Sequence, residues 1–282
     1  MNRNIFTFIG CESEYSGARI VLFGAPFDST TSYRPGTRFA SGAMRSASVA
    51  IETYSPYQDK DLSDMAVFDG GDLELCFGNT EKALDQIEAF TGQVLNDNKI
   101  PCMIGGEHLV ALGAIRAAFK KHPGLNVLHF DAHADLRDAY LGEKLSHATV
   151  MRRVWDLVGD GRIYQFGIRS GCREELAWGK GRVFTNMYDF SNLRETVDKL
   201  YGSPVYLSVD LDVLDPSVFP GTGTPEAGGV SFLQLLDAIL LTSGLHIVGL
   251  DVNELSPVHD QSESSTLVAC KLLRELLLLH CK

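Results

Sequence analysis

Two segments of this chain concentrate groups that bind cations. Phe130-Asp131-Ala132-His133-Ala134-Asp135 and Ser208-Val209-Asp210-Leu211-Asp212 each carry ionisable side chains at spacing two, directly after a run of β-type apolar residues. Side chains two apart on an extended backbone share one side. The first segment therefore presents two carboxylates and an imidazole together, and the second presents two more carboxylates. Gathering five such groups at a buried strand end is costly unless cations neutralise them. Carboxylate oxygens mixed with imidazole nitrogen suit a borderline-hard divalent ion such as manganese. The chemistry this predicts is hydrolysis at a two-metal centre.

Three further segments carry candidate groups. Ile104-Gly105-Gly106-Glu107-His108 ends one apolar run and opens a helical one. Its glycines allow close backbone approach and positive φ, and His108 would project at the strand end as a nitrogen ligand. Glu107 reads either as a neighbour of that ligand or as an acid favoured by a helix N-terminus. In Ser146-His147-Ala148-Thr149, Ser146 is a good N-cap. His147 is then a surface histidine beside a cap, or a proton shuttle that titrates near neutral pH. Glu254, in Gly249-Leu250-Asp251-Val252-Asn253-Glu254, either pairs with an arginine or accepts hydrogen bonds from a planar cation such as guanidinium. His129, inside the apolar run before Asp131, reads as a core histidine. His122, His246, His259 and His280 sit in no local constellation. The stretch TGTPEAGGV (222–230) has neither the dinucleotide fingerprint nor a P-loop, and reads as a loop shaping a pocket.

Positioning these groups requires strands that end together. The apolar runs predict strands at Arg19–Gly24, Met65–Phe68, Ile100–Ile104, Val127–Phe130, Ile163–Gly167, Arg182–Phe184, Val205–Val209 and Ile247–Asp251. Amphipathic stretches predict helices at Ser41–Tyr54, Glu81–Leu95, Leu109–Lys121, His147–Leu157, Leu193–Leu200, Phe232–Leu241 and Ser264–Leu279. Alternation of strand and helix predicts a largely parallel sheet covered on both faces. The candidate groups all fall at strand carboxyl ends, where open α/β sheets bind ligands. Ser264–Leu279 has leucines at nearly every angle and reads as a core helix or a subunit interface.

The bulk composition narrows the function classes. The chain has 282 residues, 45% hydrophobic and 22% charged, with a formal net charge of −11. An acidic balance disfavours a nucleic-acid partner and favours cationic ligands; a well-solvated surface accounts for much of it. The six cysteines are scattered without a CxxC pair, as expected of reduced thiols. No basic-then-apolar leader opens the chain, and no apolar run reaches the roughly 18 residues of a membrane span. The expected location is cytoplasmic, with no membrane partner.

With these residues in view, the chain resembles the ureohydrolase family, which comprises arginase, agmatinase and their relatives. The matching segments are GGEH (105–108), DAHAD (131–135), SVDLDVLDP (208–216) and GTGTPEAGG (221–229). SYRPGTRFA (32–40), SHATVMRR (146–153) and GLDVNELSP (249–257) also resemble family elements, in order from about residue 20 to the C-terminus. The likeness is greatest to the bacterial agmatinase branch. It implies one ureohydrolase domain over 1–282, with a three-layer α/β/α fold around a mainly parallel eight-stranded sheet. It implies two manganese ions bridged by hydroxide. His108, Asp131, Asp135 and Asp210 would hold the first ion, and His133, Asp131, Asp210 and Asp212 the second. Asp135 would also hydrogen-bond the hydroxide, Glu254 would contact the guanidinium, and His147 would shuttle protons. The implied reaction is hydrolysis of agmatine to putrescine and urea, by the hydroxide attacking the guanidinium carbon.

The chain departs from the family at two places. Glu107 stands where aspartate is usual. The 136–147 loop lacks the Ser/Asn pattern with which arginases read the amino acid's carboxylate and amino groups. It offers Asp138 and Glu143 instead, which suit a dicationic substrate. Arg137 and Lys144 keep carboxylate-bearing substrates open: guanidinobutyrate, arginine, guanidinopropionate or formiminoglutamate. A metal-stabilised subunit without turnover is the non-enzyme alternative. The family's habit also implies a homo-oligomer, trimer or hexamer.

Overall fold

The computed structural model describes residues 1 and 4–281. The strands are β1 (Ile20–Gly24), β2 (Tyr54–Ser55), β3 (Lys60–Asp61), β4 (Val67–Asp72), β5 (Ile100–Ile104), β6 (Asn126–Phe130), β7 (Ile163–Ile168), β8 (Phe184–Met187), β9 (Pro204–Asp210) and β10 (His246–Asn253). The helices are α1 (Ala40–Ala47), α2 (Thr80–Asn96), α3 (Ala111–Lys121), α4 (Val150–Val158), α5 (Arg173–Gly179), α6 (Leu193–Leu200), α7 (Phe232–Leu241) and α8 (Ser264–His280). Eight strands form one sheet in the order β4-β1-β5-β10-β9-β6-β7-β8, and every neighbouring pair is parallel.

Because the strands carry apolar residues on both sides, helices must cover both faces. One core joins the sheet to α1, α6, α7 and α8, and a second joins it to α2, α3 and α4. This is a three-layer α/β/α fold. Local signals start several helices: the Asn79 side chain accepts from Lys82 N at α2, and a Ser231/Gln234 capping box opens α7, each worth about 1 kcal/mol. Apart from the half-buried Leu267, the leucines of α8 are buried in the chain's own core. Its Arg274 and Glu275 pair with each other and hold the β2–β3 hairpin, through Tyr54 O at 3.0 Å and Ser55 Oγ at 2.7 Å.

Several elements differ from the pattern-based expectation, among them the unexpected β2–β3 hairpin and β4, which runs to Asp72. The helix expected at Ser41–Tyr54 ends at Ala47 and a short 3-10 turn, since the chain must turn into the hairpin. The strand expected at Arg182–Phe184 runs from Phe184 to Met187. It lies at the sheet's edge, where a continuous apolar run is not required. The seven-residue α5 was not expected, being too short for periodicity to register.

The topology decides where the chemistry falls. After β5 the chain crosses to β6 and leaves room for two strands between them, later filled by β9 and β10. The four strands whose ends carry the candidate groups are therefore adjacent: β5, β10, β9, β6. The ladder pairs Phe130 with Val209 and Asn253 with Asp210. Asp131, one step beyond Phe130, thus comes level with Asp210 at this switch point.

Candidate metal centre

His108 lies at the middle of the constellation. Its Nδ1 is 3.0 Å from Asp135 Oδ2, 3.1 Å from Asp131 Oδ2 and 3.5 Å from Asp210 Oδ2. Its Nε2 is 3.0 Å from Ser208 Oγ. The Ser208 hydroxyl donates to Asp251 Oδ1 at 2.6 Å, so toward His108 it can only accept. His108 therefore carries a proton on Nε2 and turns the Nδ1 lone pair toward three carboxylates. Lone pairs facing lone pairs repel unless a positive charge stands between them. A proton on Nδ1 is one such charge. Burial lowers the imidazole's proton affinity, yet Asp131 and Asp135 outweigh it and hold the value well above normal. A divalent cation is the other, and the donor chemistry of one nitrogen and three oxygens fits it.

A second group adjoins the first. His133 Nδ1 is 3.0 Å from Asp212 Oδ2 and 3.6 Å from Asp131 Oδ1. Asp131, His133 and Asp212 bring ligand atoms within 4.8 Å of one another. Asp131 thus turns one oxygen to each group. His133 is the most open of these side chains, 25% exposed, whereas His108 is buried.

The electrostatics show how much negative charge the fold has collected. Burial, then the charge of Asp131, pushes the Asp135 carboxyl up to about 7. Burial and the neighbouring Asp212 hold Asp210 well above the carboxylate range. Burial, Asp212 and Glu107 do the same to Glu254. Such carboxyls cling to protons unless cations replace them. Two site residues also sit in left-handed backbone, Asp135 at φ 52° and Glu254 at φ 65°, a conformation non-glycine residues adopt reluctantly and functional sites concentrate.

The walls are built by contacts that cross the chain. A Cβ on Gly105 would stand 1.9 Å from Asn253 Oδ1, and one on Gly106 1.8 Å from Phe27 O. The glycines are there for close approach; neither has a positive φ. Glu107 caps no helix. It accepts from Thr30 N at 3.0 Å and Thr31 Oγ1 at 3.0 Å, which ties the 28–32 loop to the end of β5. Thr30 Oγ1 in turn accepts from His147 N at 3.0 Å, and Ser32 Oγ lies 3.0 Å from His147 Nε2. Burial, then His133, pushes the His147 imidazole down to about 4. The Ser146 cap and its Thr149 partner open the turn as expected. Among the described residues Glu254 pairs with no arginine; its Oε1 accepts from His108 N at 2.7 Å.

A cavity of about 190 Å³ opens over the cluster. His133, Asp135, His147 and the buried Glu175 line it, with Arg137 and Tyr140 toward solvent. Arg137 stacks on Tyr140 at 4.6 Å and its Nε is 3.4 Å from Glu175 Oε1. Asp138 and Glu143, expected to meet a substrate's tail, do not line this cavity. Asp138 pairs with Arg153 at 2.8 Å on α4. Glu143 is exposed and forms paired backbone bonds with Tyr140. The acid that does line the cavity is Glu175, from the unforeseen α5; it is buried and accepts from Leu136 N at 3.0 Å and Cys172 N at 2.5 Å.

Sequence reading also passed over a row of buried polar residues beneath the cluster. Gln165, His129, Ser208 and Asp251 are paired across four neighbouring strands and are all fully buried. A signal for them exists: each is a polar residue inside an otherwise apolar strand, and His129 and Ser208 stand two before a metal-type aspartate.

Comparison with known proteins follows the same lines. The Arginase family model matches residues 18–279. An agmatinase of Bacillus cereus is 45% identical over 276 residues, 96% of this chain and 95% of that one. A guanidinobutyrase of Pseudomonas aeruginosa is 34% identical, over 94% of this chain and 87% of that one. A crystal structure from Clostridium difficile matches with a TM-score of 0.93 and 47% identity, over 95% of this chain and 99% of that one. Its fold, its paired imidazole and carboxylate groups and its sequence agree in one conclusion: the chain belongs to the arginase family of ureohydrolases.

Proposed function

We propose that this chain hydrolyses agmatine to putrescine and urea, with two manganese ions as cofactors and 1–282 acting as one catalytic unit. The observation that carries the reading is the His108 Nδ1 lone pair turned toward Asp131, Asp135 and Asp210, with Asp135 also lining the cavity of about 190 Å³. His108, Asp131, Asp135 and Asp210 would hold one ion; His133, Asp131, Asp210 and Asp212 would hold the other. When bound, such ions lower the pKa of water from 15.7 to about 7. A guanidinium carbon needs that help, because resonance spreads its charge and makes it a poor electrophile.

The chain's own groups supply the rest. Glu254, buried beside His108, accepts guanidinium N–H bonds and orients the carbon. Asp135 accepts a hydrogen bond from the attacking water. Addition of water and cleavage of the bond to the alkyl nitrogen leave urea and a primary amine, which must gain a proton. His147 lines the cavity and is neutral at pH 7, so it receives a proton and passes it on rather than storing one.

Agmatine is favoured by the 45% identity to an agmatinase over nearly the whole chain. A carboxylate-bearing tail is the second reading, supported by Arg137 at the cavity mouth and by the guanidinobutyrase relative. Urea release by manganese-loaded protein decides between them, with agmatine, guanidinobutyrate, arginine, guanidinopropionate and formiminoglutamate compared. Turnover of agmatine alone is expected. Preference for guanidinobutyrate would move the specificity to Arg137, and no urea from any of them would overturn the reading.

A further inference from the structure

We propose that His129 is a positioning residue that makes Asp131 a bridge, through a hydrogen-bonded relay beginning at Gln165. The inference rests on the two-metal reading above.

The relay has a fixed direction. Gln165 Nε2 is 2.7 Å from Ala134 O. A carbonyl can only accept, so this end of the side chain is the NH₂ group. The same nitrogen is 3.0 Å from His129 Nδ1, which must then accept. His129 therefore holds its proton on Nε2, and that N–H donates to Asp131 Oδ2 at 2.8 Å. His129 is fully buried, so water offers no alternative partner.

This direction settles what His129 does. His129 lies close enough to His108 and Asp131 to resemble a ligand itself. The lone pair needed for ligation is on Nδ1, however, turned away from the carboxylates and engaged by Gln165. His129 thus acts on the centre through Asp131 alone.

The consequence is geometric. Each oxygen of a carboxylate has about two lone-pair sites. On Asp131, Oδ2 receives His129 Nε2–H, and Oδ1 receives the backbone N–H of His133 at 2.6 Å. One site remains on each oxygen. The Oδ2 site is on the His108 side at 3.1 Å, and the Oδ1 site is on the His133 side at 3.6 Å. Two protein donors, one per oxygen, leave this aspartate with one lone pair for each half of the centre. Without His129, Oδ2 could rotate or take both roles.

The test uses the full-length protein and manganese. Metal content and affinity are measured by chelator competition, kcat and KM at saturating manganese, and unfolding temperature in the metal-free form. His129→Leu removes the donor and keeps an apolar filling; manganese affinity should fall 10–100-fold, the range for partners that orient metal ligands. The loss in kcat should be about tenfold, with KM within about threefold. His129→Gln can accept from Gln165 and donate to Asp131, and should recover to within about threefold of wild type. Wild-type affinity and kcat in folded His129→Leu would overturn the proposal, as would a His129→Gln no better than His129→Leu. Should His129→Leu not fold, Gln165→Leu serves, because it removes the tautomer constraint from one strand further away. Reduced manganese affinity there supports the relay, and unchanged affinity overturns it. Wild-type protein that binds no manganese would instead remove the two-metal reading itself.

Discussion

At the floor of the cavity, each charged group is held by strand register and buried hydrogen bonds. Asp131 and Asp210 stand level because β6 and β9 are paired, and His108 is oriented by Ser208 and Asp251 behind it. At the mouth, Arg137 and Tyr140 come from a loop, and Arg137 is 34% exposed. Moving a floor residue requires disturbing the sheet; moving a mouth residue requires only a new loop path. The floor is therefore suited to chemistry and the mouth to choosing among substrate tails.

That contrast can be broken most directly at the floor. Asp210→Asn should lose manganese and at least about 10³-fold in kcat, since a metal centre contributes several kcal/mol to the barrier. Normal metal content with normal turnover would show that the strand ends are not the ligands. His147→Ala, at the rim between floor and mouth, should cost about 10²-fold in kcat, the low end for a proton-transfer group. Metal content should be unchanged; metal loss would make His147 part of the floor.

The collected negative charge gives a third test. Asp135 and Glu107 are each pushed up to about 7 by burial, with Asp131 adding to the effect on Asp135. The unfolded chain ionises such groups near pH 4. Between about 4 and 7 the folded state holds protons that the unfolded state has lost, so stability falls as pH rises. His147, pushed down to about 4, acts in the opposite sense over the same window. His129, lowered by burial, joins His147; against them stand Asp135, Glu107 and the raised Asp210 and Glu254, with the raised His108 and His133 on the same side. Metal-free protein should therefore be less stable to urea at pH 8 than at pH 5, and manganese should remove the decline. Greater metal-free stability at pH 8 would contradict this picture of the floor.

Smaller effects belong to the mouth. Arg137→Ala should leave agmatine kcat/KM within about threefold and lower any guanidinobutyrate turnover about tenfold, the worth of one charge-assisted hydrogen bond. An equal loss on both substrates would mean that Arg137 shapes the cavity without reading the tail. Asp138→Ala should change kcat/KM for agmatine by less than about twofold, because Asp138 pairs with Arg153 outside the cavity and exposed pairs are worth little. A large rise in KM would bring Asp138 back to the tail.

The sequence alone determined the alternation of strands and helices, the parallel sheet and the clustering of acids and imidazoles at strand ends. Apolar runs and their polar ends are local signals. The shared strand face expected from spacing two is not what gathers the groups, since Asp131, His133 and Asp135 lie past the end of β6, Asp135 in left-handed backbone, and Asp212 lies in a 3-10 turn. It also held a signal for His129 and Ser208, polar residues inside apolar strands, although His129 read as core. Tertiary structure alone decided the remainder. Which strands neighbour one another depends on a crossover that leaves room for β9 and β10. The direction of the His108 and His129 tautomers depends on Ser208 and Gln165, residues 100 and 36 positions away. The mouth depends on packing. The 136–147 acids could have faced the cavity or α4, and the arginines of α4 drew Asp138 outward while α5 brought Glu175 in. A short loop has no period to declare which of its side chains turn inward, so only the assembled neighbours could decide.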